Sequence, residues 1–255
     1  MSIVTLITDF GSTDIYAGRF KGYLFSEIRN IQIVDITHDI PAFNVIAGAY
    51  SLKNTFQCFP KGSYHVIRVN ERGITNEGLL IIYTEGHYFI APDNAVLPMA
   101  LNNSFDWVRK VNLNYFEELN SDEIYAKVLK SLFEHTYESI SQPTTHYKYN
   151  SSWAVIKEDN IVRGMVVIID HFGNLVTNIH ISDIAPYLKR FESCTINYRE
   201  KEAINEIVVE YNEVEEGERL CKINDLGFLE IAINQGFASN LLGIKFGQTV
   251  YLEFI

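Results

Sequence analysis

Ile3-Val4-Thr5-Leu6-Ile7-Thr8-Asp9-Phe10-Gly11-Ser12-Thr13-Asp14 is the stretch that decides the fold. A β-branched apolar run ends there in a polar loop with a glycine, and Tyr16, Phe20, Tyr23, Leu24 and Ile28 then recur at helical spacing. The reading is strand, loop, helix. It repeats downstream: residues 31–36 form a second strand-like run ending in Thr37-His38-Asp39, Pro41 bars a helix until Phe43, and Val45, Ile46, Ala49, Tyr50 and Leu52 resume helical spacing. Residues 64–69 read as a third, buried strand. Strands alternating with helices imply right-handed crossovers and a mainly parallel sheet, and ligands of such sheets sit at the carboxyl ends of the strands. The loops after Thr8, Ile36 and Val69 therefore face the candidate site. Residues 79–83 and 88–90 read as a hairpin across Glu85-Gly86, and 94–101 and 122–135 as helices.

Between Ser139 and Ser152 the aliphatic pattern gives way to Ser, Thr, Gln, Pro, Asn and Tyr, the composition of a linker. Beyond it, strand-like runs recur at 162–169, 194–198, 207–211, 228–233 and 249–254, with Gly173, Gly217, Gly227, Gly236 and Gly247 at or near turns. The expected organisation is an α/β domain over 1–140, a linker over 141–152 and a small, largely β domain over 153–255. The acidic stretch 206–218 reads as a solvated face.

The 255 residues are 47% hydrophobic and 21% charged, which excludes a disordered or collagen-like chain, and no apolar run approaches the roughly 20 residues of a membrane-spanning helix. Lys plus Arg number 21 against 32 Asp plus Glu, so the net charge is 21 − 32 = −11 and a surface that tracks phosphates is not expected. No nucleic-acid partner follows. Cys58, Cys194 and Cys221 are odd in number and lack a CxxC spacing, so they read as reduced core thiols. Asp9 interrupts the first apolar run, which leaves no signal-peptide pattern and points to the cytoplasm.

Asp9 and Asp14 flank the glycine-containing loop at the first strand end. A carboxylate can accept both hydroxyls of a ribose or pair with an ammonium, although Asp14 suits a helix cap equally well. Asp35, His38 and Asp39 make a second polar cluster at the next strand end; with Asp9 they suggest a metal site, but without a ligand spacing they read better as satisfied loop residues. In residues 169–178 a strand breaks at Gly173 and resumes, exposing Asp170, Asn174 and Asn178. An Asn amide matches the donor and acceptor on an adenine edge, and a plain hairpin connection is the alternative. Asn94, in Ala91-Pro92-Asp93-Asn94, serves as well for a helix N-cap. GxGxxG, P-loop, GxSxG and HExxH motifs are absent.

Taken together, Thr8-Asp9-Phe10-Gly11, Asp14, Tyr16, Gly18, Lys21-Gly22, Val34-Asp35-Ile36-Thr37-His38, Ile40, Phe59-Pro60-Lys61-Gly62, Ala91-Pro92-Asp93-Asn94 and the 170–178 segment resemble the S-adenosylmethionine hydrolase (hydroxide adenosyltransferase) family, related to fluorinases and chlorinases. The match runs collinearly over nearly the whole chain. It implies an N-terminal α/β domain, a barrel-like all-β C-terminal domain, and a homotrimer with sites at the subunit interfaces. It implies attack of water or halide at the ribose C5′ of S-adenosylmethionine with release of methionine, and no cofactor or metal, since the sulfonium is already a good leaving group. By position Asp9 matches the ribose-diol aspartate, Asp14 and Asp170 those near the methionine amino end, Asn174 the adenine-reading asparagine, and Phe172 the same wall.

The departures concern the chemistry. Where the hydrolases carry Asp-Pro-Gly-Val-Gly followed by Arg, this chain reads Asn70-Glu71-Arg72-Gly73-Ile74-Thr75-Asn76-Glu77, and where they carry Phe-His-Gly-Arg-Asp it reads Leu119-Asn120-Ser121-Asp122-Glu123. Ungapped counting puts Asn70, Glu77 and Asn120 at the water-handling Asp, Arg and His, and Ser121 at a serine of the fluorinases. The Asp-Asn-Gly after Ala-Pro becomes Asp93-Asn94-Ala95, and the fluorinase Ser-Arg-Gly becomes Asp225-Leu226-Gly227. Asn is no base at pH 7, so hydrolysis is expected to be slow unless Glu71 or Glu77 substitutes. A catalytically degenerate adenosyl-ligand binder or sensor is the alternative. A metal-dependent phosphohydrolase built on Asp9 and the 35–39 loop is a weaker one.

Overall fold

The computed structural model describes residues 2–71, 78–150, 154–199 and 202–255. The chain divides into two compact units, Met1–Ser151 and Ser152–Ile255.

The first unit runs β1 (Ser2–Thr8), α1 (Tyr16–Glu27), β2 (Ile31–Thr37), α2 (Val45–Lys53), β3 (Tyr64–Arg68), β4 (Leu79–Thr84), β5 (His87–Pro92), α3 (Val96–Ala100), β6 (Trp107–Val111), α4 (Ser121–Phe133) and β7 (Ser141–Pro143). The seven-stranded sheet has the order β2-β1-β3-β5-β4-β6-β7. Residues such as Val4, Leu6 and Val66 pack on one face against Phe20 and Leu24 of α1 and Tyr125 and Leu129 of α4. The expected mainly parallel sheet is in fact mixed: β2/β1, β1/β3 and β3/β5 are parallel, while β5/β4, β4/β6 and β6/β7 are antiparallel. The reversal originates in the hairpin. Glu85 (φ 53°) and Gly86 (φ 88°) both adopt left-handed backbone, the geometry of a tight two-residue turn, so β4 and β5 must be antiparallel. β6, which sequence periodicity did not reveal, continues that direction. Ser141, where the linker was expected to begin, opens the edge strand β7.

The second unit runs β8 (Ile156–Lys157), β9 (Ile161–Ile169), β10 (Leu175–His180), α5 (Ile181–Leu188), β11 (Cys194–Arg199), β12 (Glu202–Ile204), β13 (Arg219–Ile223), β14 (Phe228–Ile233), α6 (Ala238–Leu241) and β15 (Thr249–Phe254). Its sheet is antiparallel in the order β12-β11-β15-β9-β10-β14-β13, with β8 beside β9. β11 and β15 alternate buried and less buried positions, the period-two signature of a sheet wrapped about its own core of Val162, Ile196, Leu229, Ile231 and Leu252. The two ends of the sheet approach one another, Arg219 Nη1 of β13 lying 4.0 Å from Glu202 Oε2 of the end strand β12 and donating to the Tyr198 hydroxyl of the adjoining β11 at 2.8 Å, so the sheet is a nearly closed barrel. The strand expected over 207–211 is not formed. Val208 makes one isolated bridge to Lys222, Val209 is exposed, and Tyr211–Glu213 is a 3-10 turn; the strand lies instead at Arg219–Ile223, whose charged residues hide its alternation.

Cys194 and Cys221 are buried free thiols, as expected, and burial pushes both above the ordinary thiol range. Cys58 is exposed and is no core thiol, because it ends a 3-10 turn at the surface. The glutamates of 206–218 are exposed. Among the described residues no helix is long and apolar enough to cross a membrane.

Candidate functional site

β1 lies between β2 and β3 in the parallel part of the sheet, so Asp9 emerges at the carboxyl edge. Its backbone N–H donates to the Arg68 carbonyl at 3.3 Å. Its Oδ2 accepts from the backbone N–H of Phe43 and of Asn70, each at 2.9 Å. Both donors have left-handed backbone, φ 66° and 53°. Such a conformation costs a non-glycine residue about 1 kcal/mol or more, and residues held in it gather at functional sites. Phe43, whose backbone N–H meets this carboxylate, is 72% exposed. Sequence reading missed Phe43; an aromatic directly after Pro41-Ala42 at a strand-end loop was the available signal.

The rest of the loop is pinned by Gly11 N–H to the His38 carbonyl (2.7 Å) and Ser12 N–H to Asp39 Oδ1 (2.8 Å). Asp14 is exposed and does not cap α1: the N-cap is Ile15, with no side-chain cap bond. Asp35 is held by Lys21 Nζ at 2.5 Å and His38 Nε2 at 3.1 Å, while His38 Nδ1 meets Thr8 Oγ1 at 2.8 Å. Burial alone would raise the Asp35 pKa, but the Lys21 hydrogen bond and the His38 and Lys21 charges outweigh it and hold it low. Lys21, His38 and Thr8 thus tie this loop together from within the protein. Among the described residues no group of three or more His, Cys, Asp or Glu is placed to hold a metal ion.

At the end of β3 stands a constellation that the sequence did not suggest. The Arg68 guanidinium is 4% exposed and lies over the rings of Phe20 (4.5 Å), Tyr125 (4.6 Å) and Phe10 (5.0 Å). Nη1 donates to Asp122 Oδ1 (2.6 Å), Nε to Glu71 Oε2 (3.0 Å), and Nη2 to Glu71 Oε1 (3.2 Å) and Ser121 Oγ (2.8 Å). The Ser121 hydroxyl donates to Glu71 Oε1, and Arg19 Nε reaches Asp122 Oδ2 at 2.7 Å. Burial would lower the Arg68 pKa; the Glu71 charge and the hydrogen bonds to Glu71 and Asp122 reverse this and keep it cationic.

Three of the four sequence-derived water-handling positions, Asn70, Glu71 and Asn120, are among the described residues. Asn70 is next to Glu71 and binds Asp9 through its backbone. Asn120 caps α4: its Oδ1 accepts from Glu123 N–H at 3.1 Å, Glu123 Oε2 accepts from Asn120 N–H at 2.9 Å, and its Nδ2 donates to the Tyr23 hydroxyl at 3.3 Å. Glu71 is clamped by Arg68. Glu77, like Arg72, lies outside the described residues. Asn94 ties its turn to the end of β3, donating to the Val69 carbonyl at 2.8 Å and accepting from Val96 N–H at 3.2 Å.

In the second unit Asp170 organises the turn between β9 and β10. Its Oδ1 accepts from the N–H groups of Phe172 (2.9 Å) and Asn174 (2.8 Å), and its Oδ2 from Asn174 Nδ2 (3.1 Å). Gly173 is required there: its φ is 80°, and a Cβ would fall 3.1 Å from the Phe237 Cα. Beside the turn is a cavity of about 430 Å³ lined by Phe172, Asn174, Tyr211, Ile233, Gln235 and Phe237. Phe172 and Phe237 are 69% and 56% exposed, an exposed aromatic surface at this cavity. Tyr211, missed as a site residue, is fixed by donating to the buried Glu230 Oε1 at 2.6 Å, and Lys222 Nζ lies 4.2 Å from its ring centroid. Burial, then the Glu230 carboxylate, hold this phenol well above its ordinary pKa.

Residues 4–136 match the family described as SAM hydroxide adenosyltransferase N-terminal domain, and residues 164–251 match the corresponding C-terminal domain. The chain is similar to the (R)-S-adenosyl-L-methionine hydrolase of Methanocaldococcus jannaschii, 28% identical over 96% of this chain and 94% of that protein. It is also similar to a fluorinase of an Actinoplanes species, 24% identical over 71% of this chain and 73% of the other. A crystal structure of an uncharacterized conserved protein from Thermotoga maritima superposes with a TM-score of 0.84 at 26% identity, covering 98% of this chain and 99% of that one.

Proposed function

The chain belongs to the SAM hydroxide adenosyltransferase family, and from that premise we propose that it binds S-adenosylmethionine and catalyses attack of water at the ribose C5′, releasing methionine and adenosine. The observation that carries this is Asp9: two backbone N–H groups on left-handed residues fasten one carboxylate oxygen at the strand end, presenting a fixed anionic acceptor such as a ribose diol requires. Asn174, tied to Asp170 in an aromatic-walled cavity of about 430 Å³, suits the edge and faces of an adenine, with Phe172 as a wall. Asp14 supplies a carboxylate for the methionine ammonium, and Asp170 supplies another while holding its turn. The reaction needs neither metal nor cofactor. A homotrimer with sites at subunit interfaces and a cytoplasmic location complete the proposal.

We place turnover below that of relatives with the Asp, Arg and His triad, since Asn70 and Asn120 are not bases. The commitment of the Asn120 amide to its helix cap and Tyr23 favours the second reading, a degenerate adenosyl-ligand binder. One experiment separates the two. Purified protein incubated with S-adenosylmethionine releases adenosine and methionine, read by chromatography, if it is a hydrolase; a binder shows a ligand-dependent rise in melting temperature and no product. Asp9→Asn should weaken ligand binding roughly 10- to 150-fold, the equivalent of a charge-assisted hydrogen bond worth about 1.5–3 kcal/mol. Unchanged affinity would remove Asp9 from the site.

A further inference from the structure

Resting on that reading of the site, we infer that Arg68 and Glu71 are the positioning pair for the attacking water, acting through the Ser121 hydroxyl. The three converge on the carbon end of β3, next to the ribose-binding carboxylate: Asp9 N–H donates to the Arg68 carbonyl, Asn70 N–H to Asp9 Oδ2, and the Arg68 guanidinium stacks on Phe10. A hydroxyl has one proton and two lone pairs. The proton of Ser121 is committed to Glu71 and one lone pair accepts from Arg68 Nη2, so the remaining lone pair is what Ser121 offers to a ligand. Glu71 cannot turn away, because Nε and Nη2 of one guanidinium hold its two oxygens.

Stability does not account for this arrangement. A buried arginine between two carboxylates is weak as a source of folding free energy, since apolar side chains of similar volume usually do as well. Arg68 is nonetheless enclosed by Phe10, Phe20 and Tyr125, an apolar shell in which only its designated partners satisfy it. The same charges set a rigid acceptor at Ser121, whose hydrogen-bond partner Glu71 directly follows Asn70 in the chain.

A water that donates one proton to Ser121 Oγ directs a lone pair away from the cluster, toward the ligand carbon. The new bond joins that oxygen to C5′ as the C5′–S bond breaks, and the electron pair of the broken bond goes to the methionine sulfur, which leaves as a neutral thioether. The surplus proton on the new hydroxyl passes by way of Ser121 to the Glu71 carboxylate and then to solvent. No oxidant or metal enters the balance.

The test is adenosine release by the full chain at saturating S-adenosylmethionine, with KM, pH profile and melting curve recorded for each variant. Ser121→Ala should lower kcat by about tenfold or more while KM stays within about threefold, and Ser121→Thr, which restores a hydroxyl, should recover most of the loss. Glu71→Gln keeps the shape but not the proton acceptor, so kcat should fall by about tenfold or more while KM stays within about threefold. If Ser121→Ala does not fold, Glu71→Gln carries the test. Folded variants with wild-type kcat and pH profile, from an active wild type, overturn the inference alone. A wild type that releases no adenosine overturns the hydrolase reading and the inference with it.

Discussion

β3 buries two basic side chains on opposite faces, and they meet burial in opposite ways. His65, fully buried, bonds through Nδ1 to Thr5 Oγ1 (2.7 Å) and through Nε2 to His87 Nδ1 (3.1 Å), and it packs on Phe56, Phe59 and Phe89. Burial, with a contribution from His87, lowers its pKa to about 3, so it is neutral at pH 7. Arg68, three residues on, keeps its charge because Glu71 and Asp122 meet it there. One strand thus shows both ways of burying a polar cation-former: discharge it or pair it. The pairing sits at the carboxyl end, beside Asp9, and the discharged histidine sits in the body of the sheet.

The largest effect should come from removing the cation. Arg68→Met takes the buried cation from Glu71 and leaves Asp122 only the half-exposed Arg19, and breaking a buried pair costs about 3–5 kcal/mol. Denaturant unfolding should show it. The triple change Arg68→Met, Glu71→Gln, Asp122→Asn should recover most of the loss while abolishing turnover. If Arg68→Met alone unfolds at the wild-type midpoint, the cluster is not the dry ion pair described here.

An intermediate effect belongs to His65. Its folded pKa of about 3 lies below the unfolded value near 6.5, so below pH 6.5 the unfolded chain binds the extra proton and folding loses stability as pH falls toward 3. The slope from one such group is at most about 1.4 kcal/mol per pH unit. His87, also lowered by burial, adds in the same direction. Arg68 contributes nothing in that window, because it is charged in both states. Comparing wild type with His65→Gln between pH 7 and pH 4 isolates the term: the variant should have the shallower pH dependence, and parallel curves would mean that His65 takes up its proton in the folded state.

The same contrast explains what could be read in advance. Apolar periodicity is local, so β1, α1, β2, α2, β3 and the 85–86 hairpin were legible. Arg68 was not legible. In Tyr64-His65-Val66-Ile67-Arg68-Val69 a charged residue inside an apolar run looks like the strand's exposed side, and its partners Ser121 and Asp122 come from a helix more than fifty residues on. Tyr211 was hidden for a related reason, since it was assigned to a strand when the fold uses it in a 3-10 turn under Glu230. The sheet turned out mixed because the reversal that starts at the hairpin is carried on by β6 and β7, and β6, with two cations in five residues, lacks the alternation on which periodicity depends.

The smallest effect concerns how the charged end of β3 is fastened. Asn94 donates to the Val69 carbonyl, and its turn continues through Ala95 at φ 77°, where the family pattern has glycine. Left-handed backbone costs an alanine roughly 1–2 kcal/mol, whereas deleting its buried methyl gives up about 0.8 kcal/mol, so the strain is the larger of two opposed terms. Ala95→Gly should therefore stabilise the N-terminal unit by less than about 1 kcal/mol and raise its melting temperature by up to roughly 2–4 °C. Asn70, also left-handed, is of a type that tolerates this backbone, so Asn70→Gly should gain less still. Differential scanning calorimetry reads both. A clear loss of stability in Ala95→Gly would mean that the methyl packs better than the backbone is strained, and that the end of β3 is held by contact and not by the turn.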